Sequence, residues 1–173
     1  RFRSDGRWAA SSGDDHTIRI WNLETSKELA KLEGHTDEVN GVCFSPNGRL
    51  LASAGVDGVI KIWDAIAYTE LATLKGHTDY LWDVVFSPDG TRLASASADG
   101  TVRIWKVPGR LLARVLKGHS EAVGQVSVSP DGRQLASASM DQTVRLWNVP
   151  SAIPGRVLAG HTHWVWGVAF GKS

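Results

Sequence analysis

A repeat of constant length limits what this chain can fold into more than any other feature of its sequence. The dipeptide Gly-His recurs at positions 34–35, 76–77, 118–119 and 160–161, so each step is 42 residues. No insertion or deletion breaks the register. A fixed period of this length indicates stacked units, each a small motif that cannot bury its apolar face alone. The fold therefore consists of equivalent units joined by loops of equal length.

One unit, read from Val39, alternates short β-rich segments with turn sequences. VNGVCF is followed by SPNG, which has proline and glycine where a tight turn prefers them. RLLASAG and VIKIW then flank a second tight turn, and ELATL follows a short loop. The sequence predicts four short antiparallel strands per unit. Such a narrow sheet must stack on its neighbours to be stable.

Each unit also repeats a serine, an aspartate and a tryptophan at fixed distances from the Gly-His dipeptide. These residues are Ser11, Ser53, Ser95, Ser137, Asp15, Asp57, Asp99, Asp141, Trp21, Trp63, Trp105 and Trp147. Serine, histidine and aspartate are the residue types of a hydrolase triad. A catalytic constellation is needed only once, however, whereas this set recurs in every unit. We therefore predict no catalytic residues and no enzyme activity.

With Gly-His near one end of each unit and Trp-Asp near the other, the chain resembles the WD-repeat β-propeller family. The Trp-Asp dipeptide itself occurs as Trp63-Asp64, and the other three units differ at its second position. The resemblance covers essentially the whole chain and implies an all-β propeller of four-stranded antiparallel blades, with four blades in residues 1–173. The expected blades are residues 34–75, 76–117, 118–159, and a first blade of 1–33 completed by a strand at 165–170.

The same resemblance implies a structural role for the repeated polar residues. In WD-repeat blades a histidine, a serine or threonine, an aspartate and a tryptophan form a buried hydrogen-bonded tetrad. The matching sets are His35, Ser53, Asp57, Trp63; His77, Ser95, Asp99, Trp105; His119, Ser137, Asp141, Trp147; and His161, Ser11, Asp15, Trp21. In the last set, the period places the histidine before residue 1, and His161 stands four periods further on.

Residues 165–170 match the missing first strand of the opening unit, so the chain has the parts needed to close a ring. Closure within one chain gives four blades, and exchange of ends between two chains gives eight. WD-repeat propellers are usually seven-bladed and sometimes eight-bladed, so four of these blades closing alone would require an unusually steep wedge. We therefore predict an eight-bladed homodimer. The alternatives are a fragment of a larger propeller and an engineered half-propeller. At each seam residues 169–173 duplicate residues 1–5, so one copy must be displaced.

Positions that vary between units at one rim are the candidates for partner binding, because the repeat makes no structural demand on them. These candidates are Glu38, Asn40, Tyr80, Trp82, Met140, Trp164 and Trp166. Aromatic residues and methionine are common in binding hot spots. The alternative is that the tryptophans fill space between blades. We predict a non-enzymatic protein- or peptide-binding scaffold; the second hypothesis is a purely structural symmetric assembly module without a ligand.

Composition excludes several other classes of function. Nineteen basic and eighteen acidic residues give a formal net charge of +1 without a basic stripe, so neither nucleic acid nor a membrane is an expected partner. Cys43 is the only cysteine, and His163 has no third ligand near it in sequence, so we expect no metal and no cofactor. The absence of a signal peptide and of long apolar runs predicts a cytoplasmic protein.

Overall fold

The chain forms β-strands and turns in a computed structural model that describes residues 1–107, 109–150 and 154–171, with only the backbone of Pro154. Its strands are β1 Trp8–Ser12, β2 Ile18–Asn22, β3 Lys27–Leu32, β4 Val39–Phe44, β5 Leu50–Gly55, β6 Ile60–Asp64, β7 Thr69–Leu74, β8 Leu81–Phe86, β9 Arg92–Ser97, β10 Val102–Lys106, β11 Leu111–Leu116, β12 Val123–Val128, β13 Gln134–Ser139, β14 Thr143–Asn148 and β15 Pro154–Ala159. Over the described ranges, no helix is long and apolar enough to cross a membrane.

Consecutive strands pair antiparallel into four sheets. Three sheets have four strands each, β4 to β7, β8 to β11 and β12 to β15, and the first sheet contains only β1, β2 and β3. We call these sheets blades 1 to 4 in chain order. The all-β architecture of antiparallel blades predicted from the repeat is confirmed. Blade 1 differs because only an isolated bridge between Phe2 and Ala9 stands where the other blades have their first strand.

The turn between the first and second strands explains the glycine of the SPNG sequence. Gly48 has φ of +68°, and its equivalents Gly90 and Gly132 have φ of +69° and +70°. This left-handed conformation strains any residue with a Cβ, so glycine is required there. The turn also fixes the pairing of β4 with β5, in which Phe44 lies opposite Leu51.

The hydrophobic core lies between blades rather than within one of them. Ile18 and Ile20 of blade 1 belong to the same buried cluster as Val42 and Phe44 of blade 2. Two further clusters join blade 2 to blade 3 and blade 3 to blade 4. Burial of both sheet faces therefore depends on stacking, as the narrow sheets require.

Residues 161–170 contain no strand and lie against blade 4. The Val165 amide donates to the Ser139 carbonyl at 3.0 Å, as the Val39 amide donates to the Gly13 carbonyl at 3.2 Å between blades 1 and 2. The Val168 amide donates to Gln125 Oε1 at 2.8 Å. The segment thus occupies the place that the first strand of a following blade would take.

In the single chain this terminal segment lies apart from β1, whose blade it was predicted to complete either within one chain or across two. The reason is geometric, because the segment is held one blade beyond blade 4. At the other end, Arg1 already exchanges backbone hydrogen bonds of 2.8 Å with Ala10 of β1. Residues 172 and 173 of the expected seam overlap, and residues 151–153 of the expected fourth blade, lie outside the described residues.

Candidate functional site

The repeated polar residues of blade 2 form one hydrogen-bonded network. Ser53 Oγ lies 2.8 Å from His35 Nε2 and accepts a hydrogen bond of 2.9 Å from Trp63 Nε1. His35 Nδ1 lies 2.8 Å from the Asp57 carboxylate, which also accepts the Thr36 amide at 3.1 Å. The network therefore ties the Gly-His loop to the second strand, the following turn and the third strand.

Blades 3 and 4 repeat this network with nearly the same geometry. The residues are His77, Ser95, Asp99 and Trp105 in blade 3, with distances of 2.8 to 2.9 Å. In blade 4 they are His119, Ser137, Asp141 and Trp147, with distances of 2.7 to 2.8 Å. The structure thus brings together three of the four sets of residues singled out in the sequence.

The protonation states of the network follow from burial and from its hydrogen bonds. Burial lowers the pKa of His35, His77 and His119, and their aspartates only partly offset this effect. Burial acts to raise the pKa of Asp99 and Asp141, but hydrogen bonds, mainly from threonine and histidine, outweigh it and lower each pKa to about 2. In blades 3 and 4 a neutral imidazole therefore donates from Nδ1 to an ionised carboxylate and accepts the serine proton at Nε2.

This order of serine, histidine and aspartate matches a hydrolase triad, but its environment does not suit nucleophilic attack. Ser53, Ser95 and Ser137 are each 0% exposed, so no substrate reaches their hydroxyl groups. Each serine oxygen also accepts an indole N–H, which draws electron density from it. An activated nucleophile needs access as well as a base. The three networks are suited to stabilising the individual blades.

Blade 1 lacks the histidine, and its network is incomplete. Trp21 Nε1 still donates to Ser11 Oγ at 2.8 Å, and the Asp15 carboxylate, which has no histidine beside it, accepts from Thr17 and Arg19. An open cavity of about 470 Å³ stands there, lined by Ser11, Ser12, Gly13, Asp14, Asp15, Thr17 and Arg19. Trp21 is half-buried, whereas Trp63, Trp105 and Trp147 are 2% exposed. The single chain does not bring the exposed His161 to this cavity.

Aromatic side chains cluster at the rim from which the first strands start. Tyr80 and Trp82 meet edge to face with ring centroids 5.8 Å apart, and Trp164 and Trp166 do so at 5.7 Å. Tyr80, Trp164 and Trp166 are 42%, 47% and 58% exposed, while Trp82 is half-buried. Three of the four rings therefore present much of their surface to solvent.

The remaining rim candidates differ in how far the fold already engages them. Glu38 is exposed, and its backbone carbonyl accepts the Val56 amide at 2.8 Å. Asn40 Nδ2 donates to the Leu81 carbonyl at 2.8 Å, so this side chain links blade 2 to blade 3 through a hydrogen bond. Met140 is half-buried. Of these three, Glu38 has the side chain most available to a partner.

The sequence interpretation missed the acidic residues of this rim and one buried carboxylate. Asp37, Asp79 and Glu121 stand directly beside the variable positions, a spacing that the repeat reveals once the charges of its units are compared. Asp83 is 5% exposed and lies 3.5 Å from the Arg1 guanidinium, and burial raises the pKa of its carboxyl. In the part of the chain that the structure describes, no group of histidine, cysteine and acidic side chains is arranged to hold a metal ion.

Comparison with known proteins agrees with this architecture. The family described as "WD domain, G-beta repeat" matches residues 1–22, 26–64, 68–106 and 110–148. The chain is 53% identical over 38 residues to Elongator complex protein 2 of Dictyostelium discoideum, which covers 22% of this chain and 4% of that protein. It is 40% identical over 42 residues to Coatomer subunit beta'-2 of Arabidopsis thaliana, which covers 24% of this chain and 4% of that protein. It is 44% identical over 43 residues to Small ribosomal subunit protein RACK1 of Drosophila melanogaster, 25% of this chain and 13% of that protein. The chain therefore spans only a small part of these relatives.

Proposed function

Because the chain belongs to the WD-repeat family, we propose that it is a non-enzymatic scaffold that binds a protein or peptide at the aromatic rim. One observation carries this proposal: the repeated polar residues of blades 2 to 4 are engaged inside the blades, whereas the variable rim residues Tyr80, Trp164 and Trp166 remain exposed. Exposed aromatic side chains that vary between otherwise equal units are typical of binding hot spots rather than of packing. We place this activity in the cytoplasm.

The relatives support a role in assembly without identifying a partner. Their names describe a coatomer subunit, an Elongator complex protein and a ribosomal subunit protein, so those proteins are components of larger complexes. Each similarity extends over about one repeat, and the partner of this chain is inferred from its own rim instead.

Alanine substitution of the rim aromatics tests the scaffold. Replacing Tyr80, Trp82, Trp164 and Trp166 together should abolish capture of a binding partner from a lysate while lowering the unfolding free energy by less than about 3 kcal/mol, because three of the four side chains are exposed and exposed side chains contribute little to stability. Leu111→Ala and Val157→Ala, at residues 65% and 47% exposed on outer strands, serve as controls that should keep the partner.

Two outcomes would contradict the rim proposal. A stability loss of about 3 kcal/mol or more in the fourfold variant would assign these rings to packing between blades. Failure of the unaltered protein to retain any partner would favour the second hypothesis, a symmetric assembly module without a ligand. The strict 42-residue register without insertions is the observation that favours that hypothesis.

We also propose that two chains close an eight-bladed ring by exchanging residues 165–170. The open cavity beside Ser11 and Asp15 has the same position as the histidine of the other three networks. His161 is exposed, and among the described residues none except the two chain neighbours comes within 4 Å of the position of a Cβ on Gly160. A second copy can therefore supply the imidazole and the strand that blade 1 lacks.

The mass in solution tests this dimer. We expect twice the chain mass of 18.7 kDa in sedimentation equilibrium. His161→Ala should weaken dimerisation about tenfold, since it orphans a buried hydrogen-bonding site worth about 1 to 3 kcal/mol. His163→Ala is the matched control, because His163 belongs to none of the four predicted networks. Its ring instead packs on Trp164, with ring centroids 5.2 Å apart. A stable particle of single-chain mass, or equal effects of both variants, would contradict the exchange.

A further inference from the structure

We propose that a cavity between blades 3 and 4 binds the phosphoryl group of a phosphorylated serine or threonine in a partner protein. The cavity has a volume of about 340 Å³, and we call it the basic cavity. Blade 3 supplies Arg92, Lys106 and Arg114 to its lining, and blade 4 supplies Val149 and Pro150. This site is separate from the aromatic rim, so the inference goes beyond the scaffold function proposed for that rim.

Strand pairing brings the three cations onto one face of blade 3. Lys106 of β10 lies directly opposite Arg92 of β9, and Ile104 of β10 lies opposite Arg114 of β11. Side chains two residues apart in a strand, or directly opposite across two strands, point to the same face of the sheet. Ile104 belongs to the same buried cluster as Leu135 of blade 4, so this face is turned towards blade 4.

The other two interfaces between blades are closed by apolar side chains at the equivalent positions. The equivalents of Arg92, Arg114 and Val149 are Trp8, Ala30 and Ala65 between blades 1 and 2, and Leu50, Ala72 and Val107 between blades 2 and 3. All six belong to the hydrophobic clusters of these interfaces or pack against them. Charged side chains cannot be buried in such a layer without a counter-charge. The interface of blades 3 and 4 therefore keeps a cavity at this place.

Lys106 replaces a residue that has a structural role in other blades. In blade 2 the equivalent Asp64 Oδ1 accepts the Ile66 and Ala67 amides at 2.8 Å each, which holds the next turn. A lysine ammonium has no hydrogen-bond acceptor, so Lys106 does not perform this role. Lys106 also lies opposite Arg92, and like charges directly opposite in a sheet are destabilising. An anion bound between them would remove this repulsion.

The positive charge of the basic cavity is not balanced by its described lining residues. None of these residues is acidic, and neither Arg92 nor Lys106 forms an ion pair with a described residue. Asp89, in the turn before β9, lies within electrostatic reach of Arg92. Hydrogen bonds from Ser87 Oγ and from the Thr91 amide and hydroxyl lower the pKa of Asp89, and the charge of Arg92 adds to this effect. These bonds already engage both Asp89 oxygens, so three cations face one engaged carboxylate outside the cavity.

Blade 4 holds one of the cations in place. Arg114 Nη2 donates to the Pro150 carbonyl at 3.3 Å, which keeps its guanidinium beside the cavity. Asp131, in the turn before β13, accepts from Ser129 Oγ at 2.5 Å and from the Arg133 amide at 3.0 Å, and it does not line the cavity. The turn of blade 4 therefore uses its carboxylate for its own hydrogen bonds.

A phosphorylated side chain matches this combination of charge and shape. A phosphoryl group carries roughly −1.5 to −2 charges at pH 7 and three strong acceptor oxygens. Guanidinium groups bind such oxygens through paired hydrogen bonds, and an ammonium adds a point charge. Ile104 and Ala113 add apolar lining, and the neighbouring Leu111 and Leu112 on edge strand β11 are 65% and 42% exposed. This apolar surface favours a phosphorylated peptide with apolar neighbours over free phosphate.

Titration calorimetry with the full chain tests the site. The probes are a short capped peptide with phosphoserine between two leucines, the same peptide with serine, and inorganic phosphate. We expect the phosphopeptide to bind at least about tenfold more tightly than the serine peptide, because charge-assisted hydrogen bonds add to its affinity. Equal affinity for the two peptides would overturn the inference. Inorganic phosphate that binds as tightly as the phosphopeptide would overturn the assignment to a protein segment.

Variants assign the binding to the basic cavity. Arg92→Leu and Lys106→Asp introduce the residue types that blade 2 has at these positions, so they are compatible with the fold of a blade. Each should weaken phosphopeptide binding by at least about fivefold through loss of a charged hydrogen-bond donor. Neither should lower the melting temperature, because each removes the like-charge pair. Lys117→Asp is the matched control, since Lys117 is exposed in the Gly-His loop after β11 and this variant makes the same change in net charge.

The control separates a specific site from general attraction between charges. Lys117→Asp should leave the phosphopeptide affinity unchanged within about twofold, since exposed charges further than a screening length from the ligand contribute little. Equal weakening by Lys106→Asp and Lys117→Asp would overturn the inference.

Failure of this proposal is distinct from failure of the scaffold at the aromatic rim. The fourfold alanine variant of the rim should bind the phosphopeptide as tightly as the unaltered chain. Loss of phosphopeptide binding in that variant would place the peptide at the rim and refute the basic cavity. Loss of a captured partner in the same variant, with phosphopeptide binding retained, would support both sites.

Discussion

Replacing Ser95 by alanine is expected to lower the free energy of unfolding by roughly 2 to 6 kcal/mol. The Ser95 hydroxyl accepts from Trp105 Nε1 and pairs with His77 Nε2, and it is 0% exposed. Its removal leaves two buried polar groups without partners, each costing about 1 to 3 kcal/mol. Urea denaturation followed by circular dichroism measures the change.

An exposed serine beside the equivalent network of blade 4 provides the control for this experiment. Ser120 is exposed and contributes its backbone amide, not its side chain, to the Asp141 carboxylate. Ser120→Ala should therefore change the unfolding free energy by less than about 0.5 kcal/mol. If Ser95→Ala costs no more than this control, the buried network does not stabilise the blade.

Acidification is expected to destabilise the protein well before its carboxylates titrate. Burial lowers the pKa of His35, His77 and His119 in the folded chain. As pH falls below about 6.5, the unfolded chain takes up protons before the folded chain does. The stability that the three neutral imidazoles provide is therefore complete above about pH 6.5 and is lost as pH falls through their folded-state pKa values.

The measurement is the urea midpoint at intervals from about pH 8 to pH 5, which should fall on the acid side of this range. His16→Gln is the control, because His16 is exposed and outside the networks, and this variant should keep the same profile. A midpoint that stays constant down to about pH 5 would show that the histidines are not held neutral. Asp99 and Asp141, with pKa of about 2, should add a second loss between about pH 4 and pH 2.

The strands were predictable because the same strand and turn sequences recur at every 42-residue repeat. VNGVCF coincides with β4, and ELATL falls within β7, which begins one residue earlier at Thr69. Turn glycines and alternating apolar residues are local signals, so one unit is enough to place them. The WD-repeat resemblance was confirmed by the family match across four stretches.

What the sequence left open depends on how blades are arranged relative to one another. The position of residues 165–170 follows from the turn of each blade against the next, which is set by side chains buried between sheets. The role of Asn40 depends on the Leu81 carbonyl, 41 positions away in the chain.

The two ends of this arc of blades are unlike but complementary. One end offers an open cavity and a strand edge that residues 1–3 cover only in part, and the other offers a spare Gly-His segment. Such a head-to-tail contact is heterologous, so the same seam builds a closed ring or an endless helical filament depending only on rotation. The angle between blades, rather than the chemistry of the seam, therefore decides whether assembly stops. Substitutions in the buried layers between sheets would act as switches between finite particles and fibres.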